Sequence, residues 1–521
     1  MKNIQHIVYL MLENRSLDNV LGWLYENDAP LHFIPKENAT PYNGLQTGSY
    51  SNPDGNGNPV PVTQIAIAQG QTIPAVDPNE DFLNVQQQIS NNMQGFYLNF
   101  ATTETQNPAE IMETYTPDSL PVINSLAKQF AVSDTYFSSI PTQTNCNRAF
   151  SLTGNSIGYY HYFGNHRTAM VNNYWEEGLG QLGDPYTFTE RCIWSVLAEH
   201  NYLSTNDWQV FYNQTWPGGE DYEGSYCFTQ DLLWPTMSGY TNNFNDISQF
   251  FSLAASGNLP TFSYLEPTWY EEEVIDGFTI GHMGSDYHPP ANVGCGEQFL
   301  YSVYQALKAS PNWVNTILIV NFDEHGGTYD HEEPTAVVAA PWDNSNEGTL
   351  PPYDYDIQFS YARTGVRVPL ILASPLIEQS TLLRSATGAP FDHTSVIATI
   401  LDHFRIPRST WGLGSRTASA PTFKSVITLH PTNARTNVDI AAPLNTSCDS
   451  DGTAAPNDLQ TMIMHRFLRH VVVREYKFPL DRYRELYHEL FQDISTIAKL
   501  NAAARNILAR MKQEMNQGKY N

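Results

Sequence analysis

Two pairs of polar residues each follow an apolar run, and both pairs offer the oxygen atoms that divalent cations prefer. Glu13-Asn14 follows the run Ile7–Leu12, and Asp323-Glu324 follows the run Thr316–Phe322. Carboxylates that cluster at strand ends repel one another unless a cation lies between them, and carboxylate and amide oxygens are hard ligands that suit such a cation. Either pair alone is explained equally well by a solvated strand end or a helix cap. The two pairs together favour a divalent metal site.

A segment rich in hydroxyl and amide groups lies between these two pairs in the sequence. It runs from Ser138 to Ser156 and includes Thr144, Asn147 and Arg148. A hydroxyl bound to a metal loses its proton readily and becomes a nucleophile, while amides and an arginine can stabilise charge on a phosphoryl group. Without the two metal-binding pairs, the same segment would be interpreted as a capped turn before a helix. With them, it favours phosphoryl chemistry.

Two histidines lie beside acidic residues just before predicted helices. His288 follows Asp286, and His393 follows Asp392 directly. Both histidines are therefore candidates for proton transfer or charge stabilisation. The alternative is helix capping by Asp392 and Thr394, with His393 as a bystander.

A Gly-Gly turn follows the second polar pair directly. Gly326-Gly327 lies between His325 and His331, and glycines at a turn allow the backbone to approach a ligand closely. We interpret the segment as a ligand-binding loop. For each of the two histidines taken singly, a surface turn is the simpler interpretation.

The apolar runs that precede the polar pairs are typical of strands buried on both faces of a parallel sheet. Ile7–Leu12, Thr316–Phe322 and Val368–Ala373 are three such runs, and helical patterns cover Gly296–Ala309 and Ser395–Phe404. This alternation predicts a doubly wound α/β sheet that is mostly parallel and flanked by helices. Ligands bind beyond the carboxyl ends of the strands in such sheets, where the polar pairs lie.

Two long segments without periodicity are predicted to be loops over the rim of this sheet. Residues 35–78 and 336–358 are rich in Pro, Gly, Asn and Tyr. Function often resides on such loops.

The C-terminal part of the chain differs from the rest in charge and pattern. From Pro456 onward it has 11 basic and 7 acidic residues, whereas the rest has 16 and 47. We predict a catalytic domain over residues 1–431, a linker over 432–456 and a helical appendage over 457–521. Leu459–Met515 indicates two or three amphipathic helices with a break at Pro479. Packing of this appendage on the domain is preferred over membrane binding or partner binding.

Composition restricts the partners of the chain. The formal charge of -27 disfavours nucleic acid and anionic membranes. No apolar run approaches the roughly 20 residues that cross a bilayer, so we expect a soluble globular protein with only peripheral membrane contact. The pattern carries no prediction about oligomeric state.

The cysteines and the N-terminus bear on the compartment of the protein. Five cysteines are widely spaced without a Cys-x-x-Cys motif, so neither a disulfide framework nor a zinc finger is predicted. The first residues show no secretory signal, which leaves a cytoplasmic protein, export by a dedicated secretion system or a removed leader. We favour a secreted effector.

Together these motifs resemble the phosphoesterase family that contains bacterial and plant phospholipases C and a bacterial acid phosphatase. The resemblance covers residues 4 to about 405 and implies the fold of the alkaline phosphatase superfamily. Two elements in this order are highly specific, Glu13-Asn14-Arg15-Ser16 and Asp323-Glu324-His325-Gly326-Gly327. The other matching motifs are Leu120-Pro121, Phe137-Ser138-Ser139, Thr144-x-x-Asn147-Arg148, His288-Pro289-Pro290, Arg367-Val368-Pro369 and Asp392-His393-Thr394-Ser395.

The resemblance implies roles for individual residues. The implied metal ligands are Glu13, Asn14, Thr144, Asp323 and Glu324. Thr144 would also be the nucleophile that attacks phosphorus, and the resulting phosphothreonine would be hydrolysed by water. His288 and His393 would face the phosphate.

Three features depart from the pattern of the family. Cys146 replaces a common proline, and Thr142-Gln143 replaces the usual Gly-Pro before the nucleophile. Many relatives also have an active-site histidine upstream of the Leu-Pro segment, where this chain has Asp77-Pro78-Asn79-Glu80-Asp81. Glu80 or Asp81 could replace that histidine as ligand or base.

Phospholipase C action on phosphatidylcholine or a broader set of phospholipids is the first functional hypothesis. A broad-specificity, metal-dependent phosphomonoesterase is the second, because the same metal and nucleophile would serve it. The Thr nucleophile favours the first, since the acid phosphatase branch uses serine. A non-catalytic phospholipid-binding protein is disfavoured because both polar pairs and Thr144 are retained. Zinc is the expected metal, with calcium, manganese or iron as alternatives.

Overall fold

The structure of the chain is a computed structural model. The structure describes residues 1, 3–65, 72–160, 166–173, 188, 190–212, 226–275, 278–335, 338–342, 359–450 and 454–520. The predicted loop over residues 336–358 therefore lies largely outside the described residues.

The strands of the described residues are short except at the centre of the molecule. In chain order they are β1 His6–Leu12, β2 His32–Ile34, β3 Ser51–Pro53, β4 Pro59–Pro61, β5 Thr63–Gln64, β6 Glu113–Thr114, β7 Ala131–Ser133, β8 Ile157–Tyr160, β9 His166–Ala169, β10 Trp208–Tyr212, β11 Phe244–Asp246, β12 Phe262–Leu265, β13 Tyr270–Ile275, β14 Phe278–Met283, β15 Thr316–Phe322, β16 Leu370–Ala373, β17 Thr381–Leu383 and β18 Asp449–Ser450.

The helices lie between the strands and at the C-terminus. In chain order they are α1 Leu17–Leu21, α2 Phe82–Gln88, α3 Ser90–Met93, α4 Phe96–Phe100, α5 Pro121–Gln129, α6 Thr144–Thr153, α7 Ile193–Glu199, α8 Phe228–Leu232, α9 Ile247–Ser256, α10 Val293–Ala309, α11 His393–His403, α12 Gly414–Ser419, α13 Asp458–Arg469, α14 Leu480–Leu490 and α15 Ile497–Asn516. A π-helical turn, His470–Glu475, extends α13.

A large central sheet organises the fold. Within the described ranges it contains nine strands in the order β11-β10-β12-β1-β15-β16-β7-β17-β2. β1 lies at its centre and pairs in parallel with β12 and β15. β12 and β15 are buried along their whole length, as expected for strands covered by helices on both faces. The predicted α/β architecture with a mostly parallel sheet is confirmed.

One strand runs against its predicted direction. The run Val368–Ala373 forms β16, which pairs antiparallel with β15 and with β7. The prediction that it is parallel was wrong because a fully buried strand has the same apolar composition in either direction. The reversal brings Arg367, which precedes β16, to the edge of the sheet where β15 ends.

The C-terminal helices pack on the sheet domain, as predicted. Apolar residues of α13 and α15, such as Leu459, Phe467 and Ile507, belong to the same hydrophobic core as the central strands. Pro479 separates α13 and its π-helical turn from α14, which confirms the predicted break. The boundaries at residues 431 and 457 stay predictions.

The predicted linker is fixed to the domain rather than free of it. Tyr304 donates a hydrogen bond to the carbonyl oxygen of Val438 at 2.7 Å, and β18 pairs with β14. Cys448 forms a disulfide with Cys295 of α10, although the sequence predicted no disulfide framework. Spacing could not reveal this bond because its cysteines are 153 residues apart and only the fold brings them together.

None of the helices in the described ranges has the length and apolar character needed to cross a membrane.

Candidate active site

The two predicted metal-binding pairs meet at one edge of the central sheet. β1 and β15 are paired in parallel with Leu12 opposite Phe322, so Glu13 and Asp323 leave the sheet side by side. All four polar residues of the two pairs are completely buried. The carboxyl ends of two adjacent parallel strands thus bring together residues about 310 positions apart.

Hydrogen bonds fix one oxygen of each acidic side chain in the second pair. Oδ1 of Asp323 accepts from the backbone N–H of Asn14 at 3.1 Å and of Glu324 at 2.7 Å. Oε2 of Glu324 accepts from the backbone N–H of Gly326 at 2.6 Å. The remaining oxygens are thereby aimed away from the backbone.

Three side-chain oxygens of the two polar pairs accept no hydrogen bond from the part of the chain that the structure describes. They are Oδ1 of Asn14, Oδ2 of Asp323 and Oε1 of Glu324, and all are buried. A buried acceptor without a donor costs about 1–3 kcal/mol. Bound to a divalent cation, the three oxygens would be satisfied, so this donor set fits a metal.

The Gly-Gly turn allows the backbone to pack tightly around this site. Gly326 has φ of +58°, and a Cβ atom there would lie 2.3 Å from the carbonyl oxygen of Asn14. Asn14 itself has φ of +55°, in the left-handed region that most residues avoid. The close approach therefore requires glycine at position 326.

Thr144 begins helix α6 and points its hydroxyl at the first polar pair. Its Oγ1 donates to Oε2 of Glu13 at 3.1 Å, and Thr144 is fully buried. The helix N-terminus carries partial positive charge, which favours a phosphate next to the hydroxyl. The predicted nucleophile and the predicted ligand Glu13 are thus in contact.

Arg148 lies one helical turn after Thr144 and faces the same carboxylate. Its Nε donates to Glu13, its Nη1 donates to the hydroxyl of Tyr264 at 3.1 Å, and its guanidinium stacks 4.7 Å from the ring centre of Trp269. In this geometry Arg148 is the counter-charge of Glu13. Its predicted role at the phosphate stays a prediction.

Asn147 holds the turn that presents Thr144. Its Oδ1 accepts from the N–H of Ile140 at 3.1 Å, and its Nδ2 donates to the carbonyl oxygen of Thr142 at 2.8 Å. The side chain therefore fixes the backbone before α6, and its predicted catalytic role also stays a prediction.

His288 contacts the first polar pair directly. Its Nε2 lies 2.8 Å from Nδ2 of Asn14, and its Nδ1 lies 2.6 Å from the carbonyl oxygen of Pro289. Burial lowers the pKa of His288 to about 3, so the ring is neutral. The structure thus places His288 against a predicted metal ligand, and contact with phosphate stays a prediction.

His393 lies at the start of α11 and contacts the last residue of β15. Its Nε2 lies 3.1 Å from the carbonyl oxygen of Phe322, and its Nδ1 has no hydrogen-bond partner among the described residues. Burial lowers the pKa of this histidine to about 4. The capping box of Asp392 and Ser395 is present as well, so capping and proximity to the site coexist.

Around the Gly-Gly turn, His325 is buried and the side chain of His331 is only 8% exposed, so the surface-turn interpretation was wrong. Nε2 of His325 lies 2.8 Å from Oε1 of Gln88, and His331 bonds to Asp18. Asp18, Asp330 and His331 offer the geometry of a metal site. Arg367 already neutralises both carboxylates, at 3.1 Å from Asp18 and 3.0 Å from Asp330, which makes this group a structural network.

The segment 77–81 contributes two further carboxylates to the site. Glu80 accepts a hydrogen bond from Nδ2 of Asn14, and Asp77 lies 3.6 Å from Nδ1 of His288. Asp77, Glu80 and His288 together have the spacing of possible metal ligands. Glu80 was noted in the sequence as a replacement for a histidine of relatives, whereas no signal pointed to Asp77.

The excess of buried carboxylates gives the site a strong need for positive charge. Burial raises the pKa of Glu13, Glu80 and Glu324 well above the ordinary range. Burial also raises the pKa of Asp286 to about 7, and its Oδ2 has no partner in the described structure. A bound cation would stabilise the ionised form of such groups.

Known proteins are similar to this chain over most of its length. The Phosphoesterase family matches residues 4–407. Non-specific phospholipase C6 of Arabidopsis thaliana is 29% identical over 461 residues, which cover 84% of this chain and 75% of that protein. Phospholipase C A of Mycobacterium tuberculosis (strain ATCC 25618 / H37Rv) is 25% identical over 439 residues, with 78% and 74% covered.

The chain has distant similarity to solved structures. An alkaline phosphatase superfamily protein from Vibrio parahaemolyticus is 12% identical, with a TM-score of 0.30, over 59% of this chain and 65% of that one. This similarity is too low to bear on function. The family match spans most of the chain and includes Glu13, Thr144 and Asp323. The chain therefore belongs to the Phosphoesterase family.

Proposed function

We propose that this protein is a phospholipase C that hydrolyses the glycerol–phosphate ester of phospholipids, with Thr144 as the nucleophile. The observation that carries the proposal is the contact of the Thr144 hydroxyl with Glu13, beside three buried oxygens that lack a donor. The similarity to non-specific phospholipases C supports the choice of phospholipid as substrate.

The metal would be held by Glu13, Asn14, Thr144, Asp323 and Glu324. We propose zinc, and calcium, manganese and iron are the alternatives that the metal add-back below distinguishes. When bound, the metal would lower the pKa of the hydroxyl it touches and stabilise negative charge on the phosphoryl oxygens.

The residues of the chain carry the two steps of the reaction. Oγ1 of Thr144 loses its proton and forms a bond to phosphorus, and the bond from phosphorus to the glycerol oxygen breaks. The glycerol oxygen takes up a proton and leaves as diacylglycerol. Water then loses a proton and attacks phosphorus, the bond to Oγ1 breaks, Oγ1 takes up a proton, and the phosphorylated head group is released.

Arg148 and Asn147 keep the nucleophile in position for both steps. Arg148 holds Glu13, the acceptor of the Thr144 hydroxyl, and Asn147 holds the turn before Thr144. Such preorganisation is a large part of catalysis because misplacement by about 1 Å can cost about 100-fold in rate.

The net charge indicates the kind of membrane on which the protein acts, and a disulfide indicates the compartment. The charge of -27 favours a zwitterionic bilayer over an anionic one, so we propose peripheral contact with phosphatidylcholine. The disulfide between Cys295 and Cys448 is typical of oxidising compartments and supports export.

The experiment compares wild type, Thr144→Ala and Thr153→Ala. Thr153 is a buried threonine at the far end of the same helix, so it controls for loss of a buried hydroxyl. The three proteins are incubated with vesicles of phosphatidylcholine and phosphatidylglycerol, and separately with a chromogenic phosphate monoester. Each reaction is run with chelator and after add-back of zinc, calcium, manganese or iron.

The proposal expects diacylglycerol release by wild type and Thr153→Ala that needs the metal, and none by Thr144→Ala. Turnover of the monoester without diacylglycerol would instead establish a phosphomonoesterase. Diacylglycerol release by Thr144→Ala at the wild-type rate would exclude Thr144 as nucleophile.

A further inference from the structure

The first residues of the C-terminal helical segment touch the active site. Nδ2 of Asn457 lies 3.0 Å from Nδ1 of His288 and 3.3 Å from the carbonyl oxygen of Pro289. The next residue, Asp458, donates its backbone N–H to Oδ2 of Asp77 at 2.9 Å. Asn457 is 2% exposed, so this contact is shielded from water.

The hydrogen bonds around His288 assign its proton. Nδ1 can donate to the carbonyl oxygen of Pro289, and Nε2 can then accept from Nδ2 of Asn14. The amide of Asn457 donates to the same carbonyl oxygen. In this arrangement Nδ1 of His288 and Nδ2 of Asn457 both donate to the carbonyl oxygen of Pro289, so Asn457 holds the carbonyl group that orients the ring.

His288 in turn orients a predicted metal ligand. The two N–H groups of Asn14 Nδ2 point at Nε2 of His288 and at Oε2 of Glu80. With both N–H groups engaged, Oδ1 of Asn14 is left without a partner in the described structure and faces the metal site. Groups that orient metal ligands typically change metal affinity 10- to 100-fold when they are lost.

The segment that carries Asn457 is firmly attached to the domain. Asp231 forms ion pairs with Arg466 at 2.9 Å and with Arg474 at 2.5 Å, and the Arg466 side chain is 1% exposed. Nδ2 of Asn145, the neighbour of Thr144, also contacts Sδ of Met462 at 3.0 Å. The start of α13 is therefore held against the active site from several sides.

We propose that the C-terminal helical segment is part of the active site and that Asn457 is a positioning residue, which acts through His288 on Asn14. The inference deepens the proposed function and rests on the metal site assigned there. The C-terminal helical segment, which the sequence predicted only to pack on the domain, would then help to determine metal affinity.

The test replaces Asn457 by Ser and, in a second variant, by Thr. The side chain of Asn457 caps α13 by accepting from the N–H of Gln460 at 2.7 Å, and Ser and Thr retain this capping ability. Neither can place an amide N–H beside His288. The control is Thr496→Ala, which removes the cap of α15 in the same segment, away from His288.

Four quantities are measured on the full-length proteins: zinc affinity by competition with a chromogenic chelator, kcat and KM for phosphatidylcholine at saturating zinc, and melting temperature. We expect Asn457→Ser and Asn457→Thr to bind zinc about tenfold more weakly. We also expect kcat to fall while KM is unchanged, because Asn457 is 2% exposed and acts through His288. Thr496→Ala should lower only the melting temperature.

The outcomes separate this inference from the proposed function. Wild type that binds no metal and releases no diacylglycerol overturns the proposed function itself. Active wild type, together with either Asn457 variant that matches Thr496→Ala in zinc affinity and kcat, overturns the role of Asn457. A variant that unfolds is replaced in this comparison by the other one.

Discussion

Replacement of Gly326 by alanine should damage the metal site far more than it damages the fold. A Cβ atom at this position would lie 2.3 Å from the carbonyl oxygen of Asn14 and 2.5 Å from its Cβ. Ordinary contact begins near 3.4 Å, so Asn14 or the turn must move by about 1 Å. The N–H of Gly326 also holds Glu324 at 2.6 Å, so two predicted ligands move together.

Gly326→Ala has two effects of different size: it strains the backbone at positive φ, and it displaces the predicted metal ligands. Alanine at positive φ costs about 1–2 kcal/mol wherever it is placed. Displacement of reacting groups by about 1 Å costs about 100-fold in rate, which corresponds to roughly 2.7 kcal/mol. Gly388→Ala isolates the first effect, because Gly388 has φ of +76° and a Cβ atom there would have nothing within 4 Å.

The assay measures zinc affinity, kcat/KM for phosphatidylcholine and urea denaturation for wild type and both variants. We expect both variants to lose stability through the positive φ, Gly326→Ala to lose more because of the close contact, and only Gly326→Ala to lose about 100-fold in kcat/KM together with zinc affinity. If Gly326→Ala binds zinc and turns over substrate as well as Gly388→Ala does, the ligands do not depend on this close approach and the assignment of the site is wrong.

Three further predictions test the charges and the attachment of the C-terminal segment. Glu80→Gln keeps an acceptor for the Asn14 amide but removes a charge, so zinc affinity should fall about tenfold in chelator competition; unchanged affinity would place Glu80 outside the influence of the metal. Burial opposes the charge of Asp231, but Arg466 and Arg474 outweigh it and lower its pKa, so Asp231 stabilises the fold above pH about 4 and this stability is lost as pH falls through the lowered pKa. Asp231→Asn should therefore cost about 3–5 kcal/mol in urea denaturation at pH 7 and less in acid, whereas a cost independent of pH would argue against the ion pairs. Cys448→Ser should cost about 2–4 kcal/mol, and a reducing agent should lower the stability of wild type to that of the variant; wild type that is insensitive to reduction would show that the disulfide is absent.

The part of the site that the sequence predicted depends on local rules. The apolar runs that form β1 and β15 end at Glu13 and Asp323, and parallel strands bring their carboxyl ends to one edge. Once β1 and β15 were predicted to be parallel strands of one sheet, Glu13 and Asp323 had to lie at the same edge of that sheet. The C-terminal helices were also predictable from local rules, namely their amphipathic pattern and the break at Pro479.

The rest depends on contacts between segments that local patterns do not encode. The direction of β16, the burial of His325 and the approach of Asp77 to His288 all result from how loops and strands pack across the sheet. Asn457 shows the difference within one residue. Its sequence, with Gln460 three positions later, fits a helix cap, and that cap is present. Its contact with His288, 169 positions away, exists only because α13 docks over the end of the sheet, since a side chain encodes its own hydrogen-bonding groups but the tertiary structure decides which groups they meet.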